Sequence, residues 1–193
     1  DVSRNVFIGS NYFLPPDRTR YVGEALVMVI GETMAAALDG AEAVEIDYAD
    51  LPFVVETARA AGAPESVWDE LPGNVAVDTH FGDIKATDAA FARADHVVDM
   101  DFNIGRVTAV ATEPRSCLAD YNPETGHYTI WAGSGGAVRQ KAELAQACGI
   151  DPAKLRVLSL DVGGNFGSRN RPYVEFGMVL WAAGKLKRPV KFT

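Results

Sequence analysis

Hydrophobic positions along the chain switch between helical spacing, strand alternation and short unbroken runs, and each switch marks an element. Residues 21–30, unbroken apolar from Ala25 onward, read as a buried strand. The Ala-rich stretch 32–43 has helical composition, with Gly31 as the break before it. A second strand follows at 44–48 and is closed by Leu51-Pro52, where proline removes a ladder donor and restricts the residue before it. Between residues 60 and 78 the pattern dissolves into Ala-Gly-Ala-Pro and Leu-Pro-Gly-Asn, anchored only by Val67 and Trp68, which predicts a boundary between domains. Beyond it, residues 87–93 suit a short helix with Thr87 as its N-cap. Residues 96–104 set Val98, Met100, Phe102 and Ile104 against Val97, Asp99, Asp101 and Asn103, the alternation of a half-buried strand.

The second half is patterned more sharply. Residues 117–121 and 127–131 form a hairpin around Asn122-Pro123-Glu124-Thr125-Gly126, whose Pro and Gly supply the turn dihedrals. A helix is predicted over 136–148, with Val138, Ala142, Ala145 and Cys148 on one face and Gly149 as its left-handed stop. A strand over 155–162 then runs into the loop Gly163-Gly164-Asn165-Phe166-Gly167-Ser168-Arg169. Next come a helix opened by Pro172 and closed near Gly184, and a last strand in 189–193. Val174, Phe176, Leu180 and Trp181 make that helix almost wholly apolar, so burial rather than a cofactor box is expected. The chain begins on Asp1, not Met, and stops inside a strand, so it reads as a piece cut at both ends.

With 48% hydrophobic and 23% charged residues, the chain can bury a core in the manner of ordinary globular proteins. No run reaches the about 18 apolar residues of a membrane span, and no signal peptide is visible. A soluble, cytoplasmic protein is therefore expected. A formal charge of −8 repels phosphate backbones and argues against a nucleic-acid partner. Cys117 and Cys148 have no C-x-x-C spacing and His80, His96 and His127 are scattered, so no metal site is expected from this chain's side chains. Asp39, Glu42, Glu45 and Asp47 read as a solvated acidic face.

The glycine loop carries the candidate chemistry. Glycines after a strand allow positive φ and close approach to a ligand, and a following helix offers unpaired N–H groups to an anion. The loop is neither a dinucleotide fingerprint, because Val162 stands where the first glycine would be, nor a P-loop, because no Gly-Lys-Ser/Thr follows. A plain tight turn stays open beside a cofactor loop. Glu113 and Arg115 are two positions apart, so on a strand they share a face and either pair at the surface or line a pocket.

The string Val162-Gly163-Gly164-Asn165-Phe166-Gly167-Ser168-Arg169 is similar to the Gly-Gly-Gly-Phe-Gly-x-Lys loop of the molybdenum-binding large subunit of the xanthine dehydrogenase, aldehyde oxidase and aerobic carbon monoxide dehydrogenase family. Tyr21-Val22-Gly23-Glu24-Ala25 resembles that family's Val-Gly-Glu strand, and residues 44–52 resemble its Val-x-Val-x-Tyr-x-x-Leu-Pro. Residues 81–98 resemble its Gly-Asp stretch leading to Ala-Asp-His-Val-Val, and Glu113-Pro114-Arg115 its Glu-Pro-x element. The matches fall in family order over nearly the whole chain.

The resemblance implies an α+β fold: the end of an α/β hammerhead domain in residues 1–60, a linker in 61–80, and the first part of a molybdopterin-binding domain in 81–193. It implies a cofactor loop at Gly163, Gly164, Asn165, Phe166 and Gly167, with Gly135 at the same site, and a substrate funnel at Glu113 and Arg115. The family's Gln that donates to a metal oxygen falls on Gly135, so only a backbone N–H or a water could take that contact. Asn165 replaces the third glycine, and Asn170 stands where purine-hydroxylating members carry Glu, so a purine substrate is not expected. The catalytic glutamate of the family has no counterpart in this chain. Implied for the intact protein are oxidation of a heterocycle, an aldehyde or carbon monoxide, and molybdopterin, in its cytosine dinucleotide form, with molybdenum. A flavin (FAD) subunit and an iron–sulfur subunit are the implied partners. Residues 1–193 alone are expected to bind no metal. The alternative is a non-catalytic α+β module that packs against partner subunits, and the missing Gln at Gly135 favours it.

Overall fold

The structure, a computed structural model, describes residues 2–105 and 107–193. Its contacts divide it into two compact units, one of Asp1–Asn11, Arg18–Glu24 and Val29–Ile104, the other of Tyr12–Asp17, Ala25–Met28 and Gly105–Thr193.

In the first unit, strand β1 (Val2–Val6) comes first in the chain, followed by helices α1 (Met34–Glu42) and α2 (Thr57–Ala60), strand β2 (Val77–Phe81) and helix α3 (Ile84–Ala92). β1 and β2 pair antiparallel, from Val2 opposite Phe81 to Val6 opposite Val77. Thr33 caps α1 by accepting from the Ala36 N–H at 3.1 Å. Helix α3 begins earlier than the pattern predicts. Asp83 is its N-cap, accepting from the Ala86 N–H at 2.9 Å, while Thr87 lies within the helix and its hydroxyl donates to the Asp83 carbonyl. The strands expected at 21–30, 44–48 and 96–104 are not formed, and Val98, Met100, Phe102 and Ile104 are exposed. Residues 60–74 are pinned by Asn74, which adopts φ 57°. Its side-chain oxygen accepts from the Val67 N–H, and its amide donates to the carbonyls of Ala60 and Glu65. Trp68 packs against the Phe7 ring and carries the Arg20 guanidinium 4.2 Å above its own.

In the second unit a four-stranded sheet carries helices α4 (Ala137–Cys148) and α5 (Val174–Leu186). Its strands are β3 (Cys117–Asn122), β4 (His127–Ala132), β5 (Leu155–Leu158) and β6 (Val190–Phe192), in spatial order β5-β4-β3-β6. β3 is antiparallel to β4 and β6, whereas β4 and β5 run parallel because α4 crosses between them. Alternation along the strands sends Cys117, Ala119, Ile130, Ala132, Leu155 and Val190 into one face. There they meet Leu144 and Ala145 of α4 and Phe176, Val179, Leu180 and Ala183 of α5. Gly177, inside α5, is where the Phe13 ring seats, and a Cβ there would run into it.

Gly149 takes the left-handed stop expected of it, with φ 65°. The buried face of α4 is nevertheless Gln140, Leu144 and Ala145, and Val138 is 87% exposed. Val138 shares its azimuth with Ala145 two turns on, so depth along the axis, not the stripe alone, decides burial. Helix α5 is buried, as expected, through Phe176, Gly177, Val179, Leu180, Ala182 and Ala183. Trp181 is 54% exposed, with Lys185 over its ring. The strand expected over 155–162 stops at Leu158, and α5 opens at Val174, not at Pro172.

Candidate cofactor site

Three segments meet around Arg169: residues 111–115, 133–135 and the loop 163–170. The loop is shaped by dihedrals that side chains rarely adopt, with Gly164 at φ 125°, Phe166 at 48° and Gly167 at 86°. Asn165 organises it. Its side-chain oxygen accepts from the N–H groups of Gly167 at 3.0 Å and Arg169 at 3.1 Å, and its carbonyl accepts from the N–H and hydroxyl of Ser168. The third glycine of the resemblance thus becomes an asparagine that holds the turn from within.

Glu113 fastens the near end of the loop. One of its carboxylate oxygens accepts from the Gly163 N–H at 2.6 Å and from Arg169 Nη1 at 2.5 Å. Arg169 Nη2 reaches past it to the Glu113 carbonyl at 2.5 Å. The Gly163 N–H, and after it the Arg169 guanidinium, hold the Glu113 carboxyl below its ordinary range although partial burial works the other way. Glu113 is therefore a fixed carboxylate at neutral pH. It does not pair with Arg115, which lies 3.5 Å from Glu175 with its guanidinium 4.5 Å over the Tyr173 ring. Glu175 occupies the first turn of α5, where a negative side chain suits the helix N-terminus.

Gly135 belongs to this cluster for a steric reason. Its N–H donates to the Arg169 carbonyl at 2.9 Å, so the amide is already engaged within the chain. A Cβ on it would run into the side-chain amide of Asn165 and the side-chain oxygen of Asn170, which bond to each other at 3.1 Å. The three departures from the family pattern, at 135, 165 and 170, thus adjoin one another.

The loop leaves donors free. Among the described residues no acceptor is bonded to the N–H groups of Gly164, Asn165 or Phe166, and Phe166 is 77% exposed. A run of unengaged amides in a fixed turn suits a ligand rich in oxygen or ring nitrogen acceptors, as a pterin or its phosphate is. No group of three His, Cys, Asp or Glu that could hold an ion occurs among the described residues. Sequence reasoning singled out Glu113, Arg115, Gly135 and 163–167 but not Arg169. The one available signal was an Arg at the far end of the glycine loop, with its partner Glu113 far away in sequence.

The molybdopterin cofactor-binding domain model matches residues 67–193. The chain is 34% identical over 181 residues to the nicotine 6-hydroxylase large subunit of Paenarthrobacter nicotinovorans, covering 93% of this chain and 22% of that protein. It is 27% identical to the carbon monoxide dehydrogenase large chain of Hydrogenophaga pseudoflava, covering 93% and 24%. The crystal structure of quinoline 2-oxidoreductase from Pseudomonas putida 86 superposes with a TM-score of 0.84 at 26% identity, covering 96% of this chain and 24% of that one. The chain thus spans less than a quarter of the length of these proteins, and no helix among the described residues is long and apolar enough to cross a membrane. A glycine turn with unengaged amides, on an α+β frame shared with molybdenum hydroxylases, agrees with the family model: the chain belongs to the molybdopterin cofactor-binding domain family.

Proposed function

We propose that this chain forms the pterin-side wall of the active site of a molybdenum hydroxylase large subunit. Gly163, Gly164, Asn165, Phe166 and Gly167 would hold the cofactor. The observation that carries the reading is the run of unengaged amides at 164–166, flanked by the bonded N–H groups of Gly163 and Gly167. When bound, molybdopterin supplies a redox-active metal that takes two electrons from the substrate while water provides the oxygen. The residues of this chain bind and orient. The amides of Gly164, Asn165 and Phe166 donate to the cofactor, while Gly135, whose N–H is committed to the Arg169 carbonyl, contributes by leaving room. Glu113 is a weak base, because its lowered pKa and two donors keep it charged. It serves to shape the loop, and with Arg115 it is assigned to the edge of the substrate approach. We assign residues 1–60 to the end of a hammerhead domain, 61–80 to a linker and 81–193 to the molybdopterin domain; the family match over 67–193 contains the last of these and part of the linker.

The cytosine dinucleotide form of the cofactor, an FAD subunit and an iron–sulfur subunit complete the proposal. It draws on relatives named as large chains or as one subunit of a dehydrogenase complex. Substrates are small molecules, and the asparagine at position 170 argues against a purine. The test is to purify the intact gene product together with its co-expressed neighbours, then measure molybdenum by mass spectrometry and pterin by fluorescence after oxidation. One molybdenum and one pterin per large subunit are expected. Their absence from well-folded protein would favour a module that packs against partners without metal.

A further inference from the structure

Only two polar side chains, Gln140 and Arg169, are buried among the described residues of the chain. Arg169, 5% exposed, sits beside the candidate site. A buried guanidinium persists only when charge and donors are both matched. Here Nη1 meets the Glu113 carboxylate and Nη2 the Glu113 carbonyl, with the Pro114 carbonyl at 3.5 Å. The backbone of the same residue donates to the Asn165 side chain and accepts from Gly135. One residue thus bonds to 113–114, to 133–135 and to the glycine loop itself. The surrounding glycines make room for it. A Cβ on Gly133 would lie 2.5 Å from Arg169 Nη1, and a Cβ on Gly163 would lie 2.5 Å from the Glu113 Cβ.

We propose that Arg169 is a positioning residue for the cofactor loop: through Glu113 it sets the turn at 163–167 in the shape that presents the 164–166 amides. This rests on the reading of that loop as the pterin site. The loop amides that face a ligand make no bonds of their own, so they contribute nothing to holding the turn, and its shape must be imposed from behind. The planar fork is needed because its two arms reach a side chain and a main-chain carbonyl at once. A lysine offers a single ammonium that cannot span both in the same geometry.

The test uses the full-length protein with its partners, as wild type and as Arg169→Gln, Arg169→Lys and Glu113→Gln. Hydrogen exchange is followed in peptides covering 160–168, the 117–132 hairpin and α5, beside pterin content. A hydrogen bond to a charged group is strong enough that its loss should speed exchange at the Gly163 amide by about ten- to a hundredfold. We expect that acceleration in Arg169→Gln and Glu113→Gln, confined to the loop peptide, with pterin lost in parallel and partial recovery of both in Arg169→Lys. Unchanged loop exchange and full pterin in Arg169→Gln would overturn the proposal. So would acceleration spread equally over the hairpin and α5, since that marks general loss of packing. If Arg169→Gln does not fold, the two milder variants decide by the same readings. If wild type holds no pterin, the reading of the site fails, while exchange in the variants still decides whether Arg169 sets the turn.

Discussion

Adding a single methyl group at Gly135 tests whether positions 135, 165 and 170 form one unit. Gly135 is not in the left-handed region, so alanine is not strained by its backbone and any cost is steric. The new Cβ would run into the Asn165 amide and the Asn170 side-chain oxygen and stand 3.4 Å from the Arg169 carbonyl. Something must move. If Asn170 swings out, one side-chain hydrogen bond of 3.1 Å between exposed groups is lost, costing about 0.5–1.5 kcal/mol. If Asn165 moves, its oxygen also leaves the N–H groups of Gly167 and Arg169, and the cost rises to about 1–3 kcal/mol. Gly135→Ala should therefore destabilise by about 0.5–3 kcal/mol in urea unfolding, and Asn170→Ala alone by about 0.5–1.5 kcal/mol. Together they should cost less than their sum, because removing the Asn170 oxygen frees half the space the methyl needs. A Gly135→Ala variant as stable as wild type, or a double variant whose loss equals the sum of the singles, would show that the contact does not constrain the site.

Further outcomes follow from the core and from the ionisable groups. Leu180→Ala removes a side chain with no exposure from the centre of α5 and should cost about 2–5 kcal/mol in the same unfolding assay. Gly177→Ala drives a methyl into the Phe13 ring and should destabilise by about 1–3 kcal/mol, with Phe13→Ala relieving the clash at the expense of its own packing. Because the folded Glu113 pKa is depressed, the unfolded chain binds the proton more readily, so the contribution of Glu113 to stability is complete above its ordinary value of 4.5 and fades as pH falls through the lowered folded value. The difference in unfolding midpoint between wild type and Glu113→Gln should accordingly shrink below pH 4.5, and a difference independent of pH would contradict the assignment. Burial pushes the Cys117 thiol up to about 12 and the Cys148 thiol to about 11, so both should resist a thiol reagent in native protein at pH 8 and react on unfolding; rapid native labelling would contradict this.

What could be read from the sequence was whatever is decided locally. The hairpin over Cys117–Asn122 and His127–Ala132 announced itself because Asn122, Pro123 and Gly126 specify a turn, and Asn122 does accept from the N–H groups of Glu124 and Thr125. The stop of α4 at Gly149 was legible for the same reason. Residues 96–104 show the opposite case. Their alternation is real, yet a strand exists only as half of a ladder, and no strand is formed there, so the apolar set remains exposed. At the site, the loop 163–167 was visible because glycine signals unusual dihedrals wherever it stands. Arg169 was not, because nothing in a single sequence couples it to Glu113. Gly135 was visible as a departure from a pattern, but the reason for it lay in the neighbouring Asn165 and Asn170, not in the position itself.

The arrangement around Arg169 also answers how a ligand-facing turn can keep its donors unpaired. An amide that bonds within the chain is lost to the ligand, and one that does not bond leaves the backbone free to rearrange. This chain separates the two duties. Shape is fixed at the ends and interior of the loop, by Glu113 on the Gly163 N–H and by the Asn165 side chain on Gly167 and Arg169, while Gly164, Asn165 and Phe166 keep their N–H groups for something else. The separation makes the two sets of positions distinguishable by substitution. Phe166 projects into solvent at φ 48°, so Phe166→Gly relaxes its backbone and removes exposed surface without touching any bond that holds the turn. It should leave loop exchange close to wild type, whereas Asn165→Ala, with its Cβ intact, withdraws the acceptor of two amides and should accelerate it. Equal acceleration in both variants would mean that shape and donation are not separated, and that the turn is held by the ligand it binds.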